Sequence, residues 1–436
     1  MKNLDKSIFD KMSLPRLAII GSGISGLGCA HFLHTRYDLT IYEAADYVGG
    51  HTNTVTVTED GQELPIDTGF MVFNHQTYPL LCRLFKELGV ETKRTDMSFS
   101  LRHLPTGYEY NGKNLDTIFG QRRNLLSPRF WKFLLKIKRF NEETVAAMND
   151  PRFEHMTLRE YVAARGYGQD FLDFYVIPMG SAVWSTPPDL MLEFPARTLM
   201  HFWFNHGFLG METRHPWWTV VDGSRQYVRK LIPPFQDRIR LKTPVERIER
   251  KNGKVILYAK DHAPEIYDKV ILATHAPTSL KMLADPTPLE QELLPRFKYQ
   301  ANLATLHTDD QFMPRTKKCW AAWNYHIEFD QSGIIQPSTH YWMNLLQGVS
   351  KKTNYFVSIN GAEAIDPAKV LRRISYEHPL FDVEATVAQK RLPDLNRISP
   401  DQTTYYAGAW FRYGFHEDGF MSAVNLCRDL LGEDPW

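Results

Sequence analysis

The sequence predicts an α/β protein built around a βαβ unit near its N-terminus, and three observations support this fold class. An apolar run, Leu17 to Ile20, is bounded by glycine, as expected for a buried parallel strand. A Gly-x-Gly-x-x-Gly pattern begins at Gly21, and helical character continues from Leu27 to His34. A second apolar run, Leu39 to Tyr42, ends on Glu43. We therefore expect a helix that connects the first two parallel strands.

Each glycine of this pattern has a structural role. Gly21 permits the tight turn from strand to helix, Gly23 lets the backbone approach a pyrophosphate, and Gly26 lets the helix pack closely on the strand. The helix N-terminus presents unpaired N–H groups to that anion. Glu43, twenty residues after Gly23, is placed to accept hydrogen bonds from ribose hydroxyls. The glycines alone also fit an ordinary tight turn, but the ordered elements favour a Rossmann-type dinucleotide-binding domain.

Two further motifs follow Glu43 and indicate which dinucleotide is bound: Gly49-Gly50-His51-Thr52 and, after a hairpin-like stretch, Asp67-Thr68-Gly69-Phe70. Together with the Glu43-Ala44 pair, these motifs resemble the flavin-dependent amine oxidase superfamily, which includes protoporphyrinogen oxidases and carotenoid desaturases. In that superfamily such segments run along the FAD phosphates and approach the flavin. His51 stands where most members have arginine, and it retains hydrogen bonding to phosphate without an obligate charge.

The departure at His51, together with the stretches GSGISGLG and DTGFMVFN, resembles one branch of the superfamily most closely. That branch comprises bacterial flavoproteins associated with cyclopropane-type fatty acid modification and the flavoprotein-like N-terminal half of plant cyclopropane fatty acid synthases. The resemblance implies FAD as cofactor and a lipid methyltransferase as partner. We expect the FAD to be non-covalent, because Cys427 falls in the predicted last helix and no other cysteine falls in a cofactor motif. A histidyl bond through His51 is the alternative.

The C-terminal segment carries a second part of the resemblance. Tyr405 to Ala407 is strand-like, and the stretch from Gly414 to Phe420 opens a predicted helix. The superfamily ends in the same way, and there the helix start directs backbone N–H groups at the flavin pyrimidine, where reduced flavin carries negative charge. Asp418-Gly419 matches the family motif, whereas His416 is specific to the branch and receives no proton-transfer role.

The resemblance implies a set of cofactor-binding residues: Gly21, Gly23, Ile24, Ser25, Gly26, Glu43, Ala44, Gly49, Gly50, His51, Thr52, Thr68, Gly69, Phe70, Val245, Ala273, Gly408, His416, Asp418, Gly419 and Phe420. Val245 corresponds to a residue that contacts adenine through its backbone, and Ala273 ends a strand that leads to the cofactor. No residue receives a catalytic role from the sequence, and no metal-ligand spacing occurs in it.

The resemblance also implies two interleaved domains: an FAD-binding domain of residues 14–80, 215–280 and 395–436, and a substrate domain of residues 81–214 and 281–394 with mixed helix and sheet. Four strand-like runs lie in the second part of the substrate domain: Gln300–His307, Cys319–Ile327, Thr339–Leu345 and Tyr355–Ile359. We expect them to form an antiparallel sheet above the flavin, completed by a short helix over 366–376.

Composition argues against several function classes. Lys plus Arg number 51 against 50 Asp plus Glu, and no basic stripe interleaved with aromatics occurs, which argues against nucleic-acid binding. The four cysteines are far apart in the sequence and predict buried thiols in a reducing compartment. Residues 1–16 lack the apolar core of a signal peptide, and no run of about twenty apolar residues occurs. We therefore expect a cytoplasmic protein.

Ser127-Pro128 predicts the start of a helix with two distinct faces. Its apolar side chains are Phe130, Phe133, Leu134, Ile137 and Phe140, and its cationic ones are Arg129, Lys132, Lys136 and Arg139. The favoured interpretation is a domain helix that packs one face inward. The alternative is a helix that rests on a membrane surface and holds the protein there peripherally.

The resemblance predicts an FAD-dependent oxidoreductase, of oxidase or desaturase type, that removes a hydride from a carbon centre. The branch implies an apolar substrate, an unsaturated or modified fatty acyl chain such as that of a phospholipid. An amine or porphyrinogen substrate is one alternative, and a non-catalytic FAD-containing partner of a lipid-modifying enzyme is another. An acyl chain would need a long apolar cavity, whereas an amine would need acidic or aromatic-cage residues.

Overall fold

The structure is a computed structural model that describes residues 14–210, 212–329 and 335–436. Residues 1–13, part of the segment that we expect not to be a signal peptide, lie outside the described residues. The strands of the described residues are β1 Arg16–Ile20, β2 Asp38–Tyr42, β3 Thr54–Glu59, β4 Gln62–Asp67, β5 Phe73–Asn74, β6 Thr92–Thr95, β7 Phe99–His103, β8 Tyr108–Asn111, β9 Trp217–Val220, β10 Ile239–Arg240, β11 Val245–Lys251, β12 Lys254–Ala259, β13 Glu265–Tyr267, β14 Lys269–Leu272, β15 Lys298–His307, β16 Trp323–Phe329, β17 Ile335–Trp342, β18 Phe356–Ile359, β19 Val370–Leu380 and β20 Thr404–Tyr406.

The α-helices of the same residues are α1 Ile24–Leu33, α2 Pro79–Glu87, α3 Leu115–Ile118, α4 Pro128–Ala147, α5 Leu158–Arg165, α6 Gln169–Phe171, α7 Ile177–Trp184, α8 Pro188–Leu192, α9 Ala196–Asn205, α10 Arg225–Leu231, α11 Ala276–Met282, α12 Pro288–Leu293, α13 Met343–Leu346, α14 Val383–Gln389, α15 Leu392–Arg397 and α16 His416–Leu431. A π-helical turn, Leu172–Val176, joins α6 to α7. No helix in the described part of the chain is both long enough and apolar enough to cross a bilayer.

The described residues form two compact units. The first unit comprises residues 14–50, 228–295 and 391–436, and the second comprises residues 51–227 and 296–390 apart from the positions outside the description. The sequence grouping differs from this division at 51–80 and 215–227, which belong to the second unit, and at 281–295 and 391–394, which belong to the first. Residues 51–80 belong to the second unit because they pack on it: the Ile66 side chain lies in a buried cluster with Leu306, Met343 and Leu346.

The first unit is centred on a five-stranded sheet of order β10-β2-β1-β14-β20. Its strand pairs are all parallel, as the sequence predicts for β1 and β2. Leu17, Ile19 and Ile41 are fully buried, which explains why both strands are continuous apolar runs. Helix α1 packs directly on α16, because a Cβ at Gly28 would lie 2.9 Å from the Phe420 ring.

The second unit is centred on a seven-stranded sheet of order β19-β15-β18-β17-β16-β7-β8. The strands formed by the four predicted runs, β15 to β18, pair antiparallel with one another, as expected. The sheet also contains β7, which pairs parallel with β16, and β8 and β19, which pair antiparallel with their neighbours. Helix α4 begins at Pro128 with the Ser127 hydroxyl accepting from the Phe130 N–H, which confirms the predicted cap. Phe130, Phe133 and Phe140 are buried, so this helix packs one face inward.

The helix expected over 366–376 is absent, and strand β19 takes its place. Asp366 and Pro367 do form a helical turn, because the Asp366 carboxylate accepts from the Ala368 N–H, but the turn ends at Lys369. Beyond it, β19 pairs with β15 over ten residues. Buried or half-buried positions alternate with exposed ones from Ile374 to His378, a period of two that is typical of a strand.

The expectation that the thiols are buried is confirmed for three of the four cysteines. Cys29, Cys319 and Cys427 are buried, but Cys82 is only half-buried on helix α2. Burial raises the pKa of the Cys319 thiol to about 12, which favours the protonated and unreactive form.

Candidate functional site

The glycine-rich turn of the first unit has the close contacts expected of a dinucleotide cradle. A Cβ at Gly21 would lie 2.7 Å from the Ala273 carbonyl oxygen, and its φ of +102° is a conformation that glycine favours. A Cβ at Gly26 would lie 1.9 Å from the Gly21 oxygen. A Cβ at Gly23, by contrast, would meet no described atom within 4 Å. The turn is therefore tightly packed at Gly21 and Gly26 and open at Gly23, where a phosphate would approach.

The start of helix α1 offers hydrogen-bond donors at this opening. Gly23 caps the helix without a side-chain hydrogen bond, and no acidic side chain lies in the first turn. The first N–H groups of an α-helix have no intrahelical acceptor, so those of Ile24 and Ser25 are available to an anion. A second turn lies against Gly23, since the Gly49 N–H donates to the Ser22 oxygen at 3.1 Å. A Cβ at Gly50 would lie 3.2 Å from the Gly23 Cα.

Glu43 is held by donors at the end of β2. Its Oε2 accepts from the Ser22 N–H at 2.9 Å and from the Ser22 hydroxyl at 2.6 Å, and its Oε1 accepts from the Ala45 N–H at 2.8 Å. A carboxylate accepts about four hydrogen bonds, so one acceptor position on Oε1 is left for a ligand hydroxyl. Ala44 beside it is exposed. Thr243 donates from its backbone to the Glu43 oxygen at 2.8 Å, and Val245 begins β11 two residues later.

The predicted C-terminal residues lie against the start of α1. The Ser25 hydroxyl donates to the Gly419 oxygen at 3.0 Å, and a Cβ at Gly419 would lie 2.9 Å from that hydroxyl. Gly408 donates from its backbone to Ser422 at 2.9 Å. Phe420 is buried and packs on Gly28, as described above. The structure therefore brings the first and last predicted motifs of this unit together.

Three ionisable side chains in the first turn of α16 are buried: His416, Glu417 and Asp418. Asp418 accepts from the Phe415 N–H at 2.9 Å, and burial raises the pKa of its carboxyl to about 7. Burial lowers the pKa of the His416 imidazole to about 3, so that this side chain is neutral at physiological pH. Arg412 lies 3.9 Å from the Asp418 carboxylate and is the nearest cation to it among the ion pairs of the described residues.

The remaining predicted residues, His51, Thr52, Thr68, Gly69 and Phe70, form a tight cluster in the second unit. The Phe70 N–H donates to the His51 oxygen at 2.7 Å, and a Cβ at Gly69 would lie 2.2 Å from that oxygen. The Thr52 hydroxyl is 2.5 Å from the Tyr227 hydroxyl. The His51 ring stacks on Tyr376 with 4.8 Å between centroids.

A buried carboxylate holds this cluster in place. Asp67 accepts hydrogen bonds from the Thr54 hydroxyl at 2.5 Å, from the Ser224 N–H and hydroxyl at 2.9 Å, and from the Gln347 amide at 2.7 Å. Burial raises the pKa of the Asp67 carboxyl to about 6, and these four donors favour its charged form at neutral pH. The Thr68 hydroxyl, next in the chain, lies 2.9 Å from that of Tyr376.

Several of these partners could not be found by sequence reasoning. Tyr376 lies on β19, where the sequence predicted a helix, and Gln347 lies 280 residues from its partner Asp67. Ser224 does carry a signal, because it follows Asp222 and Gly223, which both have positive φ and form a tight turn. A small polar residue after such a turn is typical of a side chain that caps or braces a neighbouring backbone.

The second unit also contains a cavity of about 380 Å³. Most of its walls are apolar or aromatic: Met97, Phe99, Tyr110, Tyr175, Met179, Phe208, Trp217 and Trp323. Tyr175 lies in the π-helical turn that joins α6 to α7, and such turns are frequent at functional sites. Its charged lining residues are Arg94, Asp96, Lys113 and Arg214. Asp96 is paired with Lys113 at 2.6 Å, whereas Arg94 has no ion pair within the described residues.

The sequence matches the family described as flavin containing amine oxidoreductase over residues 24–364, more than half of its length. The chain belongs to this family. Amine oxidase [flavin-containing] A of Canis lupus familiaris is 25% identical over 281 residues, which cover 60% of this chain and 50% of that protein. The 15-cis-phytoene desaturase of Synechococcus elongatus is 36% identical over 87 residues, covering 20% of this chain and 18% of the desaturase. The chain thus spans about half the length, or less, of the curated relatives it matches.

Solved structures support the same fold. A fatty acid isomerase from P. acnes that produces CLA has a TM-score of 0.67 at 15% identity, covering 96% of this chain and 98% of the isomerase. A putative protoporphyrinogen oxidase from Exiguobacterium sp. 255-15 has a TM-score of 0.67 at 18% identity, with 96% and 99% covered. The fold is the two-domain α/β fold of FAD-dependent amine oxidase-like flavoproteins, as predicted. At these identities the likeness concerns the fold alone.

Family membership makes FAD the cofactor of this chain, and the residues present fit it. The opening at Gly23, the free donors of α1 and the remaining acceptor position of Glu43 match a pyrophosphate and a ribose in that order along the chain. These residues would hold the nucleotide half of FAD. The family is one of FAD-dependent oxidoreductases, and the individual binding residues remain predictions.

Proposed function

We propose that the protein oxidises a fatty acyl chain, removing a hydride and a proton from neighbouring carbons to leave a carbon–carbon double bond. FAD, when bound, would accept the hydride, the proton would be released to solvent, and dioxygen or another two-electron acceptor would then reoxidise the flavin. The observation that carries the proposal is the cavity of about 380 Å³ in the second unit. Its walls would bury a hydrocarbon chain and exclude water from it.

The charged lining of this cavity supports an acid over an amine. Arg94, Lys113 and Arg214 give three cations against the single carboxylate of Asp96. Since Asp96 is already paired with Lys113, no carboxylate of the lining is left for a substrate ammonium group. A fatty acid carboxylate or a phospholipid phosphate would find the charge complementary.

Relatives support both this substrate class and a second one. The isomerase with a similar fold acts on a fatty acid, which supports the acyl assignment. The curated amine oxidases and a putrescine oxidase of similar fold support oxidation of an amine as the second candidate. One solved structure of similar fold is a putative protoporphyrinogen oxidase. A porphyrinogen is therefore included as a third substrate class in the test.

The test is anaerobic mixing of the FAD-loaded protein with one member of each class while the oxidised-flavin absorption is followed. We expect a monounsaturated fatty acid or a phospholipid carrying it to bleach the flavin, and putrescine and protoporphyrinogen to leave it oxidised. Bleaching by the amine alone would overturn the acyl assignment. If every donor left the flavin oxidised while dithionite reduced it, a non-catalytic FAD-containing partner would replace the proposed enzyme.

A further inference from the structure

Exposed apolar side chains concentrate in one short stretch of the second unit. Large apolar residues that are more than one-third exposed occur there at Leu115 (62%), Leu125 (45%), Leu126 (89%), Trp131 (46%) and Leu135 (63%). These five residues lie within 21 positions of the sequence and are here called the leucine–tryptophan patch. Scattered exposed leucines are ordinary, but a contiguous group indicates an interaction surface.

Contacts join helix α4 to the two turns that precede it in the chain. The Trp131 indole N–H donates to the Leu125 oxygen at 2.9 Å, which ties helix α4 to the turn before it. The Phe119 ring lies 5.0 Å from the Trp131 ring and links the turn after α3 to the same helix. Trp131 and Leu135 are four residues apart on α4 and therefore share a face.

Cations surround the patch, and several of them are unpaired. Lys132 is exposed on α4 between Trp131 and Leu135, and it has no ion pair among residues that the structure describes. Arg123 donates only to the Gly107 oxygen, and Arg129 lies over the Phe174 ring. The carboxylate of Asp116 is shared by Arg122 and Lys318. Cations therefore exceed carboxylates around the apolar side chains.

Two of the cationic side chains that the sequence predicts on this helix form ion pairs within the protein. Lys136 pairs with Asp170 at 2.5 Å, and Arg139 pairs with Glu143 at 2.9 Å while lying over the Tyr167 ring. Substituting these two cations would disturb internal contacts. The surface available to a partner is instead formed by Lys132, Arg123 and the leucine–tryptophan patch.

We propose that this surface docks on an anionic lipid membrane, with the leucine–tryptophan patch inserted among the headgroups and the surrounding cations against lipid phosphates. Exposed leucines and a tryptophan with a hydrogen-bonded indole suit the interface between water and hydrocarbon, and unpaired cations match anionic lipid. Leu115 lies two residues after Lys113, which lines the cavity. The inference stands independently of the reaction proposed above.

The experiment is co-sedimentation of the FAD-loaded protein with phosphatidylcholine vesicles, with and without phosphatidylglycerol. The test variants are Leu126→Glu, Leu135→Glu and Lys132→Glu. Matched controls are Ile398→Glu in a loop, Val387→Glu on a helix and Lys351→Glu, all at exposed positions outside the patch. Each control makes the same change in net charge as its partner, and flavin absorbance and the unfolding temperature verify the fold of all six.

We expect wild type and the three controls to sediment with vesicles that contain phosphatidylglycerol, and to be released by salt. Each test variant should lose at least tenfold in partitioning. Failure of wild type to sediment, or equal sedimentation of test and control variants, would overturn the proposal. So would a wild-type dimer in ultracentrifugation that the test variants abolish, since a second copy would then cover the patch.

Discussion

The imidazole of His51 stacks on the phenol ring of Tyr376, with ring centroids 4.8 Å apart and planes inclined by 24°. Tyr376 belongs to β19, whereas His51 belongs to the segment that the sequence predicts to lie along the FAD phosphates. His378, two positions further on the same strand, lies 5.3 Å from the His51 ring. A residue that replaces the usual arginine is thus oriented by the central sheet of the second unit.

Glu43→Ala should weaken FAD binding by roughly 1.5–3 kcal/mol, because one charge-assisted hydrogen bond to a ribose hydroxyl is lost. Equilibrium dialysis against FAD measures the change directly. Glu246→Ala, an exposed acid of the same unit, is the control and should bind as wild type does. Unchanged affinity in Glu43→Ala would mean that the ribose lies elsewhere.

Gly23→Val should abolish FAD binding, whereas Gly26→Val should lower the stability of the fold. A valine at position 23 meets no described atom at its Cβ, so the fold should persist while FAD no longer binds. A valine at position 26 would force its Cβ within 1.9 Å of the Gly21 oxygen, and we expect a loss of roughly 3 kcal/mol or more in the free energy of unfolding. Circular dichroism and FAD retention separate the two effects. Retained FAD in Gly23→Val would contradict the phosphate position.

Asp418 should make stability depend on pH. Burial raises the pKa of its carboxyl to about 7 from the usual 3.8, so the folded state favours the protonated form. The protonated Asp418 carboxyl therefore makes its full contribution to the free energy of unfolding below about pH 4, and this contribution is lost as the pH rises through 7. Urea unfolding at saturating FAD should show a difference between wild type and Asp418→Asn that grows by up to roughly 4 kcal/mol over this range. His416 is common to both proteins, so its opposite contribution cancels, and a pH-independent difference would argue against the buried acid.

Arg94→Ala should weaken the binding of a fatty acid by roughly two- to fivefold and leave its methyl ester unaffected, because only the acid offers a full charge to the guanidinium, which is exposed and partly screened by water. Lys93→Ala, its exposed neighbour on β6, is the matched control, since Lys93 does not line the cavity. Isothermal titration with both ligands gives the comparison. Equal losses for acid and ester would assign Arg94 a structural role.

The glycine-rich turn of the first unit could be predicted because its determinants are local. Gly21, Gly23 and Gly26 are fixed by the turn itself, and Glu43 directly follows the next strand. The same holds for the cap at Ser127 and for the hairpin of β3 and β4, whose turn contains Asp60 and Gly61.

The cavity and the sheet of the second unit could not be predicted because their determinants are distant in sequence. The β19 segment begins with good helix-start chemistry at Asp366, and only its pairing with β15 makes it a strand. Arg94 and Arg214 are 120 positions apart, yet both line one cavity. No periodicity in either segment indicates that they meet.

The most direct test of acyl oxidation is product analysis after one anaerobic turnover of the FAD-loaded protein with an isotopically labelled monounsaturated fatty acid. We predict one acyl product lacking two hydrogen atoms for each FAD reduced, identified by mass spectrometry. An unchanged acyl chain beside oxidised FAD, with stoichiometric FAD reduction by an amine in the parallel sample, would contradict it.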